Sequence, residues 1–582
     1  MDDQLATTRG EGLPAFPWLK FYPPGVPAAI EELPYDFLGE IPARLAARKP
    51  DAAAFTTVMP NGSAASLTFA ELERYSDDFA AYLRQTLHLN AGDRVAIQIP
   101  NGLPYPVVAF GTFKAGCVLV NVNPLYTAHE MVHLFQDAEP AAIVSINMFA
   151  DKLGEAIEQV PIPHIILTEA ASLFPMPTRR LIGFVQKYIR KEVPKPRFLH
   201  TPFARALAAG AASIRAGARV KDYTKGLDQN ALACLQYTGG TTGVSKGAVL
   251  THRNMLMNVA QFLTLHKDNI LESDHVLTVL PLYHVFAFTV NLLGFFTRGA
   301  HNVLIPSPRP LTNLRQAFER IPITFITGVN TLFNGLVNSP WFATNPPRSL
   351  RISVAGGMAL QNSVAARWQE VTGTQVVEGY GLSEASPVVS CNPATKVKAG
   401  TIGIPLPSTE IKCVDDEGRE VAIGQPGELI VRGPQVMPCY WRQPEETRSA
   451  LRDGWLYTGD IGKMDDEGYF RIIDRRKDMI LVSGFNVYPS EVEDVLSCLP
   501  GVRECAVIGV PDPATGEAVK AYIAREDPSL DRAAIREFCK GELAAYKVPK
   551  FIEFREDLPK SNVGKILRRQ LRQEHLAGHN ER

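Results

Sequence analysis

The sequence predicts an α/β protein with a large N-terminal domain of layered α/β sheets, a β-rich subdomain and a small α+β domain at the C-terminal end. Three observations carry that expectation. Short β-rich runs alternate with helical patterns along most of the chain, the arrangement that builds layered, largely parallel sheets. After about residue 396 the texture changes to short strands and turns. At residues 474–478 a run of consecutive charges, Asp-Arg-Arg-Lys-Asp, interrupts the pattern, and such a run is hard to bury.

Taken in order, RVAIQIP at 94–100, CVLVNVN at 117–123, AAIVSIN at 141–147 and HIILTEA at 164–170 read as strands, and the pattern around Phe69 to Leu83 as a helix. Past residue 396, GTIGIPLP, EIKCVDDEG, GELIVRGP and GYFRIIDRRKD form a compact β-rich region. From about residue 478 a smaller unit follows, with EVEDVLSCL as a helix, ECAVIGVP as a strand and a basic tail. The charged run at 474–478 reads as an exposed connector or as a surface turn inside one domain. The length of 582 residues favours at least two domains, because single cores stop growing at roughly 250–300 residues.

Composition bounds the function. Hydrophobic residues make up 46%, charged residues 21%, and the formal net charge is −1, so no basic excess points to nucleic acid. The eight cysteines form no CxxC pair, the histidines add no zinc-like spacing, and reduced thiols in a cytoplasmic protein are expected. The start, MDDQLATTRGEG, lacks the basic and apolar regions of a secretory signal. Val276 to Phe296 has no Asp, Glu, Lys or Arg and is long enough to cross a bilayer. Pro281, His284, Asn291 and Gly294 interrupt it, so a buried strand, a turn and a helix start are expected. In RRLIGFVQKYIRK at 179–191, Leu181, Ile182, Val185, Tyr188 and Ile189 follow helical spacing among Arg179, Arg180, Lys187, Arg190 and Lys191. That helix lies on an anionic membrane surface or packs on the protein by its apolar stripe, and both readings stay open.

The strongest local signal is Tyr237-Thr-Gly-Gly-Thr-Thr-Gly-Val-Ser-Lys-Gly247, between two apolar runs. Its glycines and threonines offer a flexible backbone with N–H and hydroxyl donors, and Lys246 adds a positive charge, so the loop suits phosphate oxygens. It is not a Walker loop, since Lys246 follows Ser245 and precedes Gly247.

Further motifs follow in order: Pro281-Leu-Tyr-His-Val-Phe-Ala-Phe288, Ala355-Gly-Gly-Met358, Glu378-Gly-Tyr-Gly-Leu-Ser-Glu384, Tyr457-Thr-Gly-Asp460, Asp474-Arg-Arg-Lys-Asp478 and Pro559-Lys-Ser-Asn-Val-Gly-Lys565. With the loop they resemble the adenylate-forming ANL superfamily of acyl-CoA synthetases, nonribosomal-peptide adenylation domains and luciferases. Within it the chain is similar to the bacterial long-chain fatty acid–CoA ligases. PWLKFYPPGVPAAI near the start, VNVNPLYT at 120–127, ITGVNTLFN at 326–334, DMILVSGFNVYPSEVEDV at 478–495 and YKVPKFIEFREDLPKSNVGKILRR at 546–569 carry that resemblance.

The resemblance implies ligation of a long-chain fatty acid to coenzyme A through an acyl-adenylate, with ATP and Mg²⁺. It implies that Thr238, Gly239, Gly240, Thr241, Thr242, Gly243 and Lys246 hold phosphates and that Glu384, with Thr238, binds the metal. Gly357, Met358, Glu378, Gly379, Tyr380 and Ser383 would frame the adenine, with Ser383 standing where the family usually has threonine. Asp460 and Arg475 would hold the ribose. Lys565 would carry adenylation, and His284 would lie beside the carboxylate or adenylate. Lys477 matches the hinge position, so residues 475–477 would join an N-terminal domain, 1–474, to a mobile C-terminal domain, 478–582. Gly484 would line the path of coenzyme A after that domain turns. Phe286, Phe288, Gly328, Val329 and Phe333 are candidates for the acyl pocket, and some relatives place a gating tryptophan at Phe288.

The expected partners are fatty acid, ATP and coenzyme A, with an anionic membrane surface on the cytoplasmic face of the inner membrane as a further option. No nucleic acid is expected, and the oligomeric state stays open, a homodimer included. The alternatives are a medium-chain or aryl acid–CoA ligase, a non-catalytic fatty-acid uptake or binding partner, a carrier-loading adenylation domain and a luciferase-like oxygenase.

Overall fold

A computed structural model of the chain describes residues 16–238, 245–561 and 564–580. The four β-rich runs of the first 170 residues form the strands Arg94–Gln98, Val118–Asn121, Ala142–Ile146 and His164–Thr168. They lie in one sheet with 201–202, Leu232–Thr238 and Lys246–Thr251, and most of its pairs are parallel. A second sheet runs in the order 404–405, 388–391, 376–381, 352–355, 325–328, 275–278, 301–304, 53–58 and 64–68. The antiparallel region past residue 396 is a separate sheet of 410–414, 427–432, 451–452, 455–464 and 470–475. The α/β class, with a β-rich third layer, is the one expected.

The apolar run at 276–296 resolves into the strand His275–Thr278, a turn and the helical segment Ala287–Phe295 in π geometry, all of whose residues are buried. Among the described residues no helix is long and apolar enough to cross a membrane. The helix His252–Leu265 starts directly after the strand Lys246–Thr251, where Thr251 and Asn254 exchange side-chain-to-backbone hydrogen bonds and so satisfy the first free N–H groups. Buried Asn258 on that helix bonds both backbone groups of Val388, donating at 2.6 Å and accepting at 2.9 Å. This pair anchors the strand Val388–Cys391 and the short turn Ser383–Ala385 just before it.

From residue 480 the chain builds its own core around Ile480, Val487, Val492, Val507, Ile523 and Ile535. Its sheet pairs 480–482 with 485–487 and with 516–525, 502–512 with 516–525, and 551–555 in parallel on 516–525. The charged run is not uniformly exposed. Arg475, Arg476 and Lys477 face solvent, whereas the flanking Asp474 and Asp478 are buried. Two arginines of the last helix, Arg568–Asn580, compensate them: Arg568 reaches both aspartates and Arg572 donates to Asp478 at 2.9 Å. Buried carboxylates persist where cations and donors surround them.

The segment 176–189 is helical, Met176–Phe184 continuing into a π turn at Val185–Ile189. Its apolar stripe is not packed inward. Ile182 is buried, but Leu181 (64% exposed), Phe184 (55%), Tyr188 (61%) and Ile189 (65%) stand out to solvent.

Candidate active site

The two strands that flank the Gly/Thr loop are antiparallel, with Thr238 opposite Lys246. Gly239, Gly240, Thr241, Thr242 and Gly243 lie outside the described residues. Lys246, at the start of its strand, ion-pairs with Glu446 and lies 5.5 Å from the ring centre of Tyr440. Tyr440 in turn donates its phenolic hydrogen to Glu384 Oε1 at 2.7 Å. Burial, then the Glu384 charge, push the Tyr440 hydroxyl well above its usual range, so it stays a donor. The Met437 N–H donates to the Glu384 carbonyl at 2.7 Å, which ties the turn Ser383–Ala385 to the loop before Tyr440. Two carboxylates, Glu384 and Glu446, one lysine and the strand ends at the base of the Gly/Thr loop thereby share one corner.

The next corner is built where the strands 352–355 and 376–381 end. Gly357 follows the first, at φ +79°, a conformation that suits a residue without Cβ. Met358 is half-buried beside it. Glu378 does not point to open space: its carboxylate accepts the Leu360 N–H at 3.0 Å and so pins the loop that carries Gly357 and Met358. Burial raises the Glu378 carboxyl to about 8, with Asp494 adding to the rise and Arg471 opposing it. Gly379 packs against Cys391 and Ser390 of the neighbouring strand, where a Cβ would lie 3.3 Å from Cys391 Sγ. Tyr380 donates to Asp460 Oδ2 at 2.6 Å, and Arg475 Nε lies 3.3 Å from Asp460 Oδ1. Asp460 and Arg475 are direct cross-strand partners, so two β-rich segments supply the pair.

Lys565 reaches this place from the small domain. Its turn is closed by Ser561, whose N–H donates to the Lys565 carbonyl at 2.7 Å and whose hydroxyl accepts the Lys565 N–H at 3.1 Å. The turn seats on the large domain through Gly564, whose carbonyl accepts the Thr331 hydroxyl at 3.2 Å. Burial lowers the Lys565 ammonium to about 8; Arg475 and Arg568 push the same way, while Asp460 and Asp478 oppose. His284 feels Lys565 as well. Burial first, then that ammonium, hold the imidazole at about 4, so it is neutral near pH 7. A cation, a carboxylate–guanidinium pair and a neutral imidazole thus converge from four separate parts of the chain.

The acyl-pocket candidates divide. Val329 lies at the junction of Gly357 and Gly564, within 3.9 Å and 3.5 Å of where their Cβ atoms would be. Phe286 lies against Gly356, and the Gly328 carbonyl accepts the Gly356 N–H at 3.2 Å. Phe288 is fully buried and meets Tyr105 and Phe113 edge-on at 6.4 and 6.3 Å. Phe333 sets its ring edge-on to Trp368 at 4.8 Å. Both rings pack against aromatic side chains of adjacent helices, and Phe333 also lies 3.1 Å from where a Gly328 Cβ would stand. Gly484 stands at the exposed turn between 480–482 and 485–487, with nothing within 4 Å of where its Cβ would be. Lys477 sits in the short turn Arg476–Asp478, and its neighbour Arg476 pairs with Glu428 at 2.9 Å.

Five residues at this site were not singled out from sequence: Tyr440, Glu446, Thr331, Asp474 and Arg568. Thr331 and Arg568 lie in segments that carry the family resemblance, and Asp474 opens the charged motif. Tyr440 and Glu446 lie outside any motif, and nothing in the sequence marks them.

The AMP-binding enzyme family profile matches residues 43–441, and the profile of the AMP-binding enzyme C-terminal domain matches residues 491–565. A long-chain-fatty-acid–CoA ligase of Escherichia coli O157:H7 is 48% identical over 96% of this chain and 98% of its own length. Among solved structures, an anthranilate CoA ligase in complex with anthranoyl-AMP superposes with a TM-score of 0.82 at 26% identity, covering 94% of this chain and 99% of that one. ATP-bound MatB from Rhodopseudomonas palustris gives 0.78 at 29% identity, over 92% and 99%.

Proposed function

The chain belongs to the AMP-binding enzyme family, and we propose that within it the protein joins a long-chain fatty acid to coenzyme A through a fatty acyl-adenylate, releasing AMP and pyrophosphate. The observation that carries the chemistry is the electrostatic coupling of Lys565 to Asp460, Arg475 and His284, on a turn whose Gly564 lies against Val329 beside Gly357. The near-full-length identity to a long-chain-fatty-acid–CoA ligase selects the acid.

In the first half-reaction a carboxylate oxygen of the fatty acid forms a bond to the α-phosphorus of ATP, and the bond to the pyrophosphate oxygen breaks. Such a substitution is accelerated mainly by positioning and charge stabilisation. Asp460, already oriented by Tyr380 and Arg475, accepts the ribose hydroxyls. Lys246 and the loop after Thr238 hold the outer phosphates. Lys565, in a site where burial sharpens electrostatics, offsets the negative charge shared by the incoming carboxylate and the departing pyrophosphate. His284, neutral and uncharged toward the fatty carboxylate, adds no competing cation. The oxygen chemistry of Glu384 and Thr238 fits a hard cation that completes its shell with phosphate oxygens. A Mg²⁺ held there would neutralise phosphate charge. In the second half-reaction the CoA sulfur bonds to the acyl carbon and AMP departs with the carboxyl oxygen it gained. Gly484 reaches the site only if the small domain turns about Lys477, which is the role we assign to that connector.

The same reading extends to a membrane. Long-chain acids partition into lipid, and the helix 176–189 exposes Leu181, Phe184, Tyr188 and Ile189 beside Arg180, Lys187, Arg190 and Lys191. Apolar side chains flanked by cations fit an anionic lipid surface.

The deciding experiment supplies ATP, Mg²⁺, coenzyme A and palmitate, with octanoate, benzoate and no acid as controls. AMP, pyrophosphate and palmitoyl-CoA are the expected products. Formation of ADP, or turnover that does not depend on any acid, would overturn the ligase reading.

A further inference from the structure

We propose that Arg568 is the positioning residue that seats Lys565: its guanidinium gathers Asp474, Asp478 and Glu493 from both sides of the interdomain connector and so fixes the turn that carries the lysine. The inference rests on the adenylating role of Lys565 given above.

The contacts are specific. Arg568 Nη1 donates to Asp474 Oδ1 at 3.0 Å and lies 3.5 Å from Asp478 Oδ2. Nε and Nη2 fork onto the two oxygens of Glu493 at 3.1 and 2.6 Å, and Nη2 also reaches Ser490 Oγ at 3.2 Å. Asp474 is next to last in the strand Phe470–Arg475, while Asp478, Ser490 and Glu493 follow the connector. Asp474 takes a second bond from the small domain, the Ser490 N–H at 2.7 Å. One guanidinium therefore fastens the end of the large domain to the start of the small one, within three residues of Lys565.

The arrangement also explains why the cation is arginine. Arg568 is mostly buried among three carboxylates, and a planar fork with five N–H donors can serve them together where an ammonium cannot keep the bidentate contact. Asp474 precedes Arg475, which pairs with Asp460, so one unbroken set of contacts links the lysine's turn to the nucleotide corner. Among the described residues, the Thr331 hydroxyl on the Gly564 carbonyl is the only hydrogen bond from that turn to the large domain. Loss of the guanidinium leaves three neighbouring carboxylates repelling one another and frees the turn.

The test separates the half-reactions in the full-length protein. Acid-dependent exchange of labelled pyrophosphate into ATP reads adenylation, with its kcat and its KM for ATP. Thioester formation from supplied palmitoyl-AMP and coenzyme A reads the second step. Arg568→Gln is expected to lower exchange kcat about 100-fold, the scale of a small misplacement of a catalytic group, with KM and thioester formation within about threefold. Arg568→Lys, which keeps the charge without the fork, should recover part of that loss. Asp474→Asn keeps the shape and the Ser490 contact and should lower exchange about 10-fold, which decides the matter if Arg568→Gln does not fold. Exchange at the unaltered level in Arg568→Gln and Asp474→Asn, or an equal loss in both half-reactions, would overturn the seating role alone. An unaltered protein with no acid-dependent exchange for any acid would overturn the ligase reading and this one with it.

Discussion

Tyr380 donates its phenolic hydroxyl to Asp460 at 2.6 Å, bridging the strand Val376–Gly381 of the second sheet to the strand Trp455–Met464 of the β-rich layer. The bond orients the carboxylate while Arg475 stands at its other oxygen. Tyr380→Phe keeps the ring and removes that restraint. Hydrogen bonds to charged groups contribute roughly 1.5–3 kcal/mol, so KM for ATP should rise about 10-fold with kcat within threefold. Steady-state kinetics at varied ATP checks this; an unchanged KM would mean that Asp460 needs no such orientation.

If Lys565 carries adenylation as proposed, that step is expected to be pH-dependent. Its ammonium is the useful form, and the structure lowers it from 10.5 to about 8. Exchange activity should therefore be full below pH 8 and fall as pH rises through it. Of the groups facing it, His284 is held at about 4, nearby cations lower the Asp478 carboxyl and the surrounding carboxylates raise the Arg568 guanidinium, so none of these three changes charge across pH 7–9. Lys565→Arg should remove the alkaline fall from whatever rate remains, and Lys565→Ala should lower exchange at least ~100-fold. A fall at the same pH in Lys565→Arg would assign the titration to another group.

Gly564→Ala tests the docking of the same turn. A methyl there would stand 2.6 Å from Thr331 Oγ1, on a backbone at φ +85°. Left-handed backbone alone costs a non-glycine residue about 1–2 kcal/mol. Exchange should fall roughly 10-fold or more, while thioester formation from supplied acyl-AMP is spared. Double substitution with Thr331→Ser should recover little, because the backbone strain remains.

Glu378 gives a stability signature. Its carboxyl rises from 4.5 to about 8 through burial, so the folded state holds a proton that the unfolded chain releases. That contribution is complete below pH 4.5 and is lost progressively as pH rises toward 8. Glu378→Gln keeps an acceptor for the Leu360 N–H and has nothing to ionise. Its melting temperature relative to the unaltered protein should therefore improve between pH 5 and pH 8, by roughly 2–4 °C. Calorimetry at both pH values checks it, and a constant difference would show that Glu378 ionises normally.

The helix 176–189 is expected to carry lipid binding. Sedimentation with vesicles containing anionic phospholipid should exceed that with neutral vesicles and weaken with salt. Leu181→Ser combined with Phe184→Ser should reduce it several-fold without altering turnover of detergent-dispersed palmitate. Equal recovery with both vesicle types, and no effect of the substitutions, would reject the membrane reading.

Much of this was legible in the chain. The strands at 94–98, 118–121, 142–146 and 164–168 follow from apolar runs set between helical patterns, and the buried nature of 287–295 from the polar and helix-breaking residues around it. The motif residues Asp460, Arg475, Tyr380 and Lys565 were legible through resemblance, and the structure brings them together. Phe288 and Phe333 read as pocket residues, and in the structure their rings meet Tyr105, Phe113 and Trp368; a phenylalanine carries no mark in the sequence that separates a substrate wall from a core. The charged connector read as exposed because burial of a charge depends on partners. Those partners, Arg568 and Arg572, lie some 90 positions away along the chain.

By itself, the sequence determined the α/β class, the β-rich layer and the small C-terminal unit, since periodicity and turn residues are local, and its motifs named, through resemblance, the groups expected for adenylation. Only the tertiary structure decided which of those groups meet. Tyr440 on Glu384, Glu446 on Lys246, Thr331 under Gly564 and Arg568 among three carboxylates are long-range pairings. Their geometry arises from how sheets and domains pack, and no local pattern encodes a contact between segments that approach only when the chain is folded.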